Sequence, residues 1–247
     1  MDETSTTTRT ADPGAIEEEA RQLAALLRAN DPGMNFEPLV LPESDPVRVR
    51  AFWRAVGWSP DWPRRRLLHR PELPADPNEM ARLLDQVRDD APHAAVLEEG
   101  ALPERFRLVH VDASGIGFSF TDEDDEPTRE DPPVKSLVFE VGEVSPLAPS
   151  YLAWCASEIV HGAFASWFQV RAKGVAPELF AGVEAPFPTL SPATRRLSDG
   201  LWALPTTLPG SLPRGARQLA YTRPEDLARW LQSLPPAHRP IVPPHHR

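Results

Sequence analysis

The segment DEDDEPTREDPPVKSLVFEVGEVSPLAPSYLAW, Asp122 to Trp154, places seven carboxylates in its first ten residues and then changes character. PVKSLVFEV reads as a strand, Gly142-Glu143 as a turn, and Val144 to Leu147 as a further short strand. Working backward, FRLVHV and GIGFSF are two more strand-like runs, separated by a turn at Asp112 to Gly115 and joined to PVKSLVFEV by the acid run. The pattern predicts a β-meander. It leads into SYLAWCASEIVHGAFASWF, where Leu152, Cys155, Ile159, Val160, Phe164, Trp167 and Phe168 form an apolar stripe broad enough for a helix to cover a sheet face.

Toward the N-terminus, Ile16, Ala20, Leu23 and Leu27 recur at helical spacing over Ala15 to Leu27, with Glu17 to Glu19 in the expected first turn. A second helix is predicted from Pro46 to a stop at Gly57, with Phe52, Trp53 and Val56 on one side. A packed loop follows through residues 58–77, and a third helix carries Met80, Leu83, Leu84 and Val87. Beyond residue 169, LSDGLWALP and ARQLAY read as a strand pair and TRPEDLARWLQSL as a helix with Thr222 and Glu225 as a capping box. The expected fold is α+β: N-terminal helices, a central antiparallel meander flanked by helices, and a small C-terminal ββα extension. The expected limits are a frayed 1–14, a main domain over 15–168, the extension over 169–235 and an irregular tail over 236–247.

The chain has 247 residues, 41% of them hydrophobic, which is enough for a substantial core despite 30 prolines. Its only lysines are Lys135 and Lys173; arginine in place of lysine, with abundant Ala and Pro, is the coding bias of a GC-rich bacterial genome. The net charge of −10 is unevenly divided. Residues 1–160 hold 31 acids against 16 bases (net −15), and residues 161–247 hold 5 against 10 (net +5). Such an acidic body repels nucleic acid and attracts basic partners. A single cysteine, Cys155, excludes an intrachain disulfide and a cysteine-rich zinc site. No basic-then-apolar leader and no apolar run of membrane-spanning length is present, so a cytoplasmic location away from membranes is expected.

The acid run does not fit a calcium loop. Asp122, Asp124 and Glu126 occupy ligand spacing, but Pro127 stands where the turn glycine belongs and Pro133 where the bidentate glutamate belongs. No metal and no cofactor is therefore expected. The remaining readings are a solvated hairpin turn, a docking surface for a basic partner, or a catalytic carboxylate pair. His110 and His161 read as structural residues, and Cys155 as a small buried hydrophobe. Gly115 and Gly117 lead into a strand rather than a helix, which excludes a dinucleotide fingerprint. Arg64 to Arg66 beside Trp58 and Trp62 read as internal neutralisation or a protein contact rather than a nucleic-acid platform.

The order LPERF, strand pair, acidic turn, DPPV (Asp131 to Val134), strand, Gly142-Glu143 and PLAPSYLAW opening a helix resembles the SMI1/KNR4 (SUKH) superfamily, over residues 102–168. The resemblance implies an α+β, non-enzymatic protein-binding module, commonly an immunity protein that neutralises a cognate bacterial toxin by occluding it. On this reading Asp122, Asp124, Asp125 and Asp131 contact a basic partner. The competing readings are a hydrolase using acid-run carboxylates with His110, and a regulatory scaffold whose C-terminal extension meets a different partner.

Overall fold

A computed structural model describes residues 11–61, 106, 108–111, 117–124, 130–138, 143–175, 177–205 and 217–243. Helix α1 spans Pro13–Asn30 and α2 Val47–Val56. Four strands follow, β1 Leu108–Val111, β2 Gly117–Thr121, β3 Val134–Val138 and β4 Glu143–Ala148, then α3 Tyr151–Ala163. A second group comprises β5 Phe168–Ala172, β6 Arg195–Ser198, β7 Leu201–Leu204, β8 Arg217–Tyr221 and α4 Pro224–Ser233. The fold is α+β with two antiparallel four-stranded sheets, ordered β1-β2-β3-β4 and β5-β8-β7-β6. The helix expected over 76–90 lies outside the described residues. No helix among the described residues is long and apolar enough to cross a membrane.

α1 begins earlier than its apolar period suggests. Asp12 caps it by accepting from Gly14 N–H (2.9 Å), and Pro13 supplies the first helical residue, so Glu17 to Glu19 fall in the second turn. α2, Val47–Val56, is flanked by Pro46 and Gly57, the limits expected for it. Gly57 has φ 77°, and a Cβ there would stand 2.8 Å from the Glu37 carbonyl oxygen, so only glycine permits the bridge between Glu37 and Trp58.

The meander forms in the predicted order, and Thr121 pairs with Val134 on either side of the acid run. Pairing is irregular at two places, between Leu108 and His110 and between Val134 and Lys135. α3 ends at Ala163, before the apolar stripe does. Phe164 and Trp167 lie in the turn, and Phe168 opens β5 with 58% of its surface exposed.

The C-terminal extension is larger than a ββα unit. LSDGLWALP folds as a hairpin, because Asp199-Gly200 makes a two-residue turn between Ser198 and Leu201. β5 adds a fourth strand against β8. α4 starts at Pro224 rather than at a Thr222 cap; the Thr222 hydroxyl instead donates to Asp226 (3.0 Å). The tail expected to be irregular is partly ordered: Ile241 exchanges two backbone hydrogen bonds with Lys173, and Val242 is buried.

The largest core crosses the expected boundary near residue 168. It joins Ile16, Leu23 and Leu27 of α1, Phe52 and Trp53 of α2, and Leu152, Ile159 and Val160 of α3 to Val134 of the first sheet and Trp202, Leu204 and Ala220 of the second. The other face of the second sheet builds a smaller core from Val170, Leu201, Leu219, Tyr221 and Leu227. The second sheet is therefore buried on both sides. Glu19 adds a polar tie, its carboxylate accepting from Thr189 N–H (3.0 Å) and Leu190 N–H (2.9 Å).

Candidate protein-binding site

The acid run leaves β2 at Thr121 and returns to β3 at Val134, and its residues divide by environment. Asp131 is buried, with 1% of its surface exposed. Its Oδ1 accepts the Leu152 N–H at 2.9 Å, while the Ser150 hydroxyl oxygen accepts the Ala153 N–H at 3.2 Å. Two of the four N–H groups that a helix start leaves unpaired are thus satisfied, one from β3's approach and one from the local cap. The carboxylate also sits where the helix dipole favours negative charge. This corrects Asp131 as a contact residue: it clasps α3 and offers no surface to a partner. The clasp gives a physical reason for DPPV and SYLAW to occur together.

Asp122 lies at the end of the β2–β3 ladder. Its N–H donates to the Pro133 carbonyl (2.9 Å), and its carboxylate pairs with Lys135 Nζ (2.5 Å). Glu123 accepts from the Thr121 hydroxyl (2.9 Å). Asp124 is exposed, with its N–H directed at Asp122 Oδ1 (3.3 Å) in an Asx-type turn. Glu130 is also exposed and faces Arg48 of α2 at 3.4 Å. Arg48 in turn donates to the Ala11 carbonyl (2.9 Å), tying the turn's flank to the start of α1. Asp125 and the side chain of His110 lie outside what the structure describes. Asp122, half-buried, and Asp124, exposed, thus follow β2, and Glu130, exposed, precedes β3. From sequence alone Glu130 reads as one more acid in a run, and only its exposed position facing Arg48 distinguishes it.

Behind the clasp, Trp53 Nε1 donates to the Tyr151 hydroxyl (3.1 Å), both side chains being buried. Burial pushes the Cys155 thiol well above its ordinary pKa, which removes thiolate character and matches its reading as a core residue. Burial also raises Glu158, to about 7. His161 donates from Nε2 to the Pro205 carbonyl (2.9 Å), since a carbonyl only accepts; burial lowers its pKa, so the neutral form with the proton on Nε2 is favoured. Glu19 was another omission at the sequence level. The available signal was an acid three residues after Ile16, inside the apolar stripe.

Among the described residues, no three His, Cys, Asp or Glu side chains come together as a metal site. No family model, curated protein or solved structure matches the chain.

Proposed function

We propose that this protein is a protein-binding module of the SMI1/KNR4 (SUKH) type, an immunity protein that neutralises a basic bacterial toxin by covering it. The observation that carries this reading is the division of the acid run. Asp131 is committed to holding α3, while Asp124, just after β2, and Glu130, next to the clasp, are exposed. Exposed carboxylates next to the ends of β2 and β3, on a body of net −15, steer a basic surface into register, raising encounter rate and specificity. The contact set is Asp122, Asp124 and Glu130, with Lys135 and Arg48 limiting how far the two flanking carboxylates can turn.

The test is retention of partners from lysate and secreted fractions of the native bacterium on immobilised wild type and on Asp124→Lys/Glu130→Lys, at low and raised salt. A basic protein held by wild type, released by salt and not held by the variant supports the reading. Equal retention by both proteins refutes the turn as the contact.

A further inference from the structure

Arg195 of β6 and Arg217 of β8 stand on one face of the second sheet, with β7 between them. Arg195 pairs with Ala203, Ala203 pairs with Leu219, and Arg217 lies two residues before Leu219, so these side chains leave the sheet on the same side. This is the side of the smaller core, to which Ala203 and Leu219 belong. Arg171 pairs with Gln218, and Arg196 with Trp202, so both stand on the opposite face. An offset of two strand spacings across and two residues along puts the Cα atoms of Arg195 and Arg217 roughly 12 Å apart, a span that two arginines close from its ends.

Arg195 is positioned by the chain that precedes it. Ser191 and Thr194 are buried, their hydroxyls are bonded to each other at 2.8 Å, and the Thr194 N–H donates to the Ser191 carbonyl at 2.9 Å. The turn they lock presents two carbonyls to Nη1 of Arg195, that of Pro192 and that of Thr194 (2.9 Å). Both bonds use the same nitrogen. The Nε–H and Nη2–H donors, the edge with which a guanidinium grips two oxygens at once, meet no acceptor among the described residues.

No counter-charge among the described residues meets either arginine. Glu184 and Asp199 face Arg196, and Asp226 faces Arg223 and Arg229. Burial first, and then the neighbouring Arg217 charge, lower the Arg195 pKa, so the two guanidiniums are near enough to feel each other. Both side chains are half-buried. Two like charges held this way gain from an anion that both can reach.

We propose that Arg195 and Arg217 form a binding site for a phosphate dianion, free or as the terminal group of a small phosphomonoester. Charge selects the class: two guanidiniums match a dianion, whereas a carboxylate leaves one positive charge unmatched. The anchored Arg195 supplies a bidentate grip of fixed direction, and Arg217 closes on the ligand from β8. Residues 161–247, which carry the site, have a net charge of +5. At physiological ionic strength a small anion responds mainly to charges within about 8 Å, so the acidic remainder of the chain does not decide its binding.

Isothermal titration calorimetry of the full chain at about pH 8 and physiological ionic strength tests this, with inorganic phosphate and phenyl phosphate as probes and acetate as the monoanion. Both phosphates are expected to bind at about one equivalent, and acetate is not. Arg217→Gln and Arg195→Gln are expected to weaken phosphate binding by about tenfold or more, and Arg171→Gln, exposed on the opposite face, to leave it unchanged. Near-UV circular dichroism checks each fold, and Arg217→Gln carries the test if loss of the Arg195 anchor disturbs its turn. Tighter binding of phenyl phosphate than of inorganic phosphate assigns the site to phosphate carried on a molecule, and equal or weaker binding assigns it to free phosphate. Absence of binding by both phosphates, acetate binding as tight as phosphate, or phosphate binding that survives Arg217→Gln overturns the proposal.

Discussion

Replacing Asp131 by alanine removes the acceptor for the Leu152 N–H at the start of α3 while leaving the Ser150 cap in place. Loss of a helix-start acceptor typically costs about 1 kcal/mol, rising to about 3 kcal/mol where the N–H left without its partner is buried. These describe the same lost bond, so the expected destabilisation is about 1–3 kcal/mol. For a chain of this size each kcal/mol shifts the midpoint by about 2–4 °C, so a fall of about 2–12 °C is expected. Asp124→Ala is the control, because Asp124 is exposed and its removal should leave stability within about 0.5 kcal/mol. Urea unfolding followed by tryptophan fluorescence reads both variants, with Trp53 and Trp154 close to the clasp in the same core. Equal stabilities for Asp131→Ala and wild type would show that the carboxylate does not hold the helix.

Three further outcomes follow from the packing. Glu158 has a folded pKa of about 7, above the ordinary 4.5, so its favourable contribution is complete below about pH 4.5 and is lost as pH rises through 7. At about 1.4 kcal/mol per pH unit, Glu158→Gln should be more stable than wild type by about 3 kcal/mol at pH 8, and the gap should close at pH 4, as denaturant titrations at both pH values would show. Gly57→Ala places a Cβ against the Glu37 carbonyl at a positive φ and should cost about 2 kcal/mol or more by thermal unfolding; an unchanged midpoint contradicts the strained geometry. A fragment ending at residue 168 loses Trp202, Leu204 and Ala220 from the main core and should fail to give a cooperative unfolding transition, whereas a cooperative transition would show that the first 168 residues fold alone.

The meander was legible because its strands are short, regularly punctuated and followed by a helix whose cap residue, Ser150, stands just before the apolar stripe. β5 was hidden for the opposite reason: FASWFQV contains no breaker, so helical periodicity continues through Phe168 although the helix stops at Ala163. The Asp199-Gly200 turn was readable as a hairpin signal, but LSDGLWALP is short enough to pass for one strand. Asp131 was misread because charge density suggests solvent, whereas the turn carries this one carboxylate inward to meet a helix start distant in sequence. The shared core was beyond local pattern altogether: strand residues buried on both faces look apolar whether they close one domain or join two pieces.

The most direct measurement of the proposed role is titration of this protein into the captured basic partner while the partner's own activity is followed. We expect inhibition to rise linearly and level off at about one equivalent, as for occlusion of a site by a tight complex, and Asp124→Lys/Glu130→Lys to abolish it. Inhibition by far less than one equivalent would indicate catalytic inactivation, and no inhibition at all would remove the neutralising role.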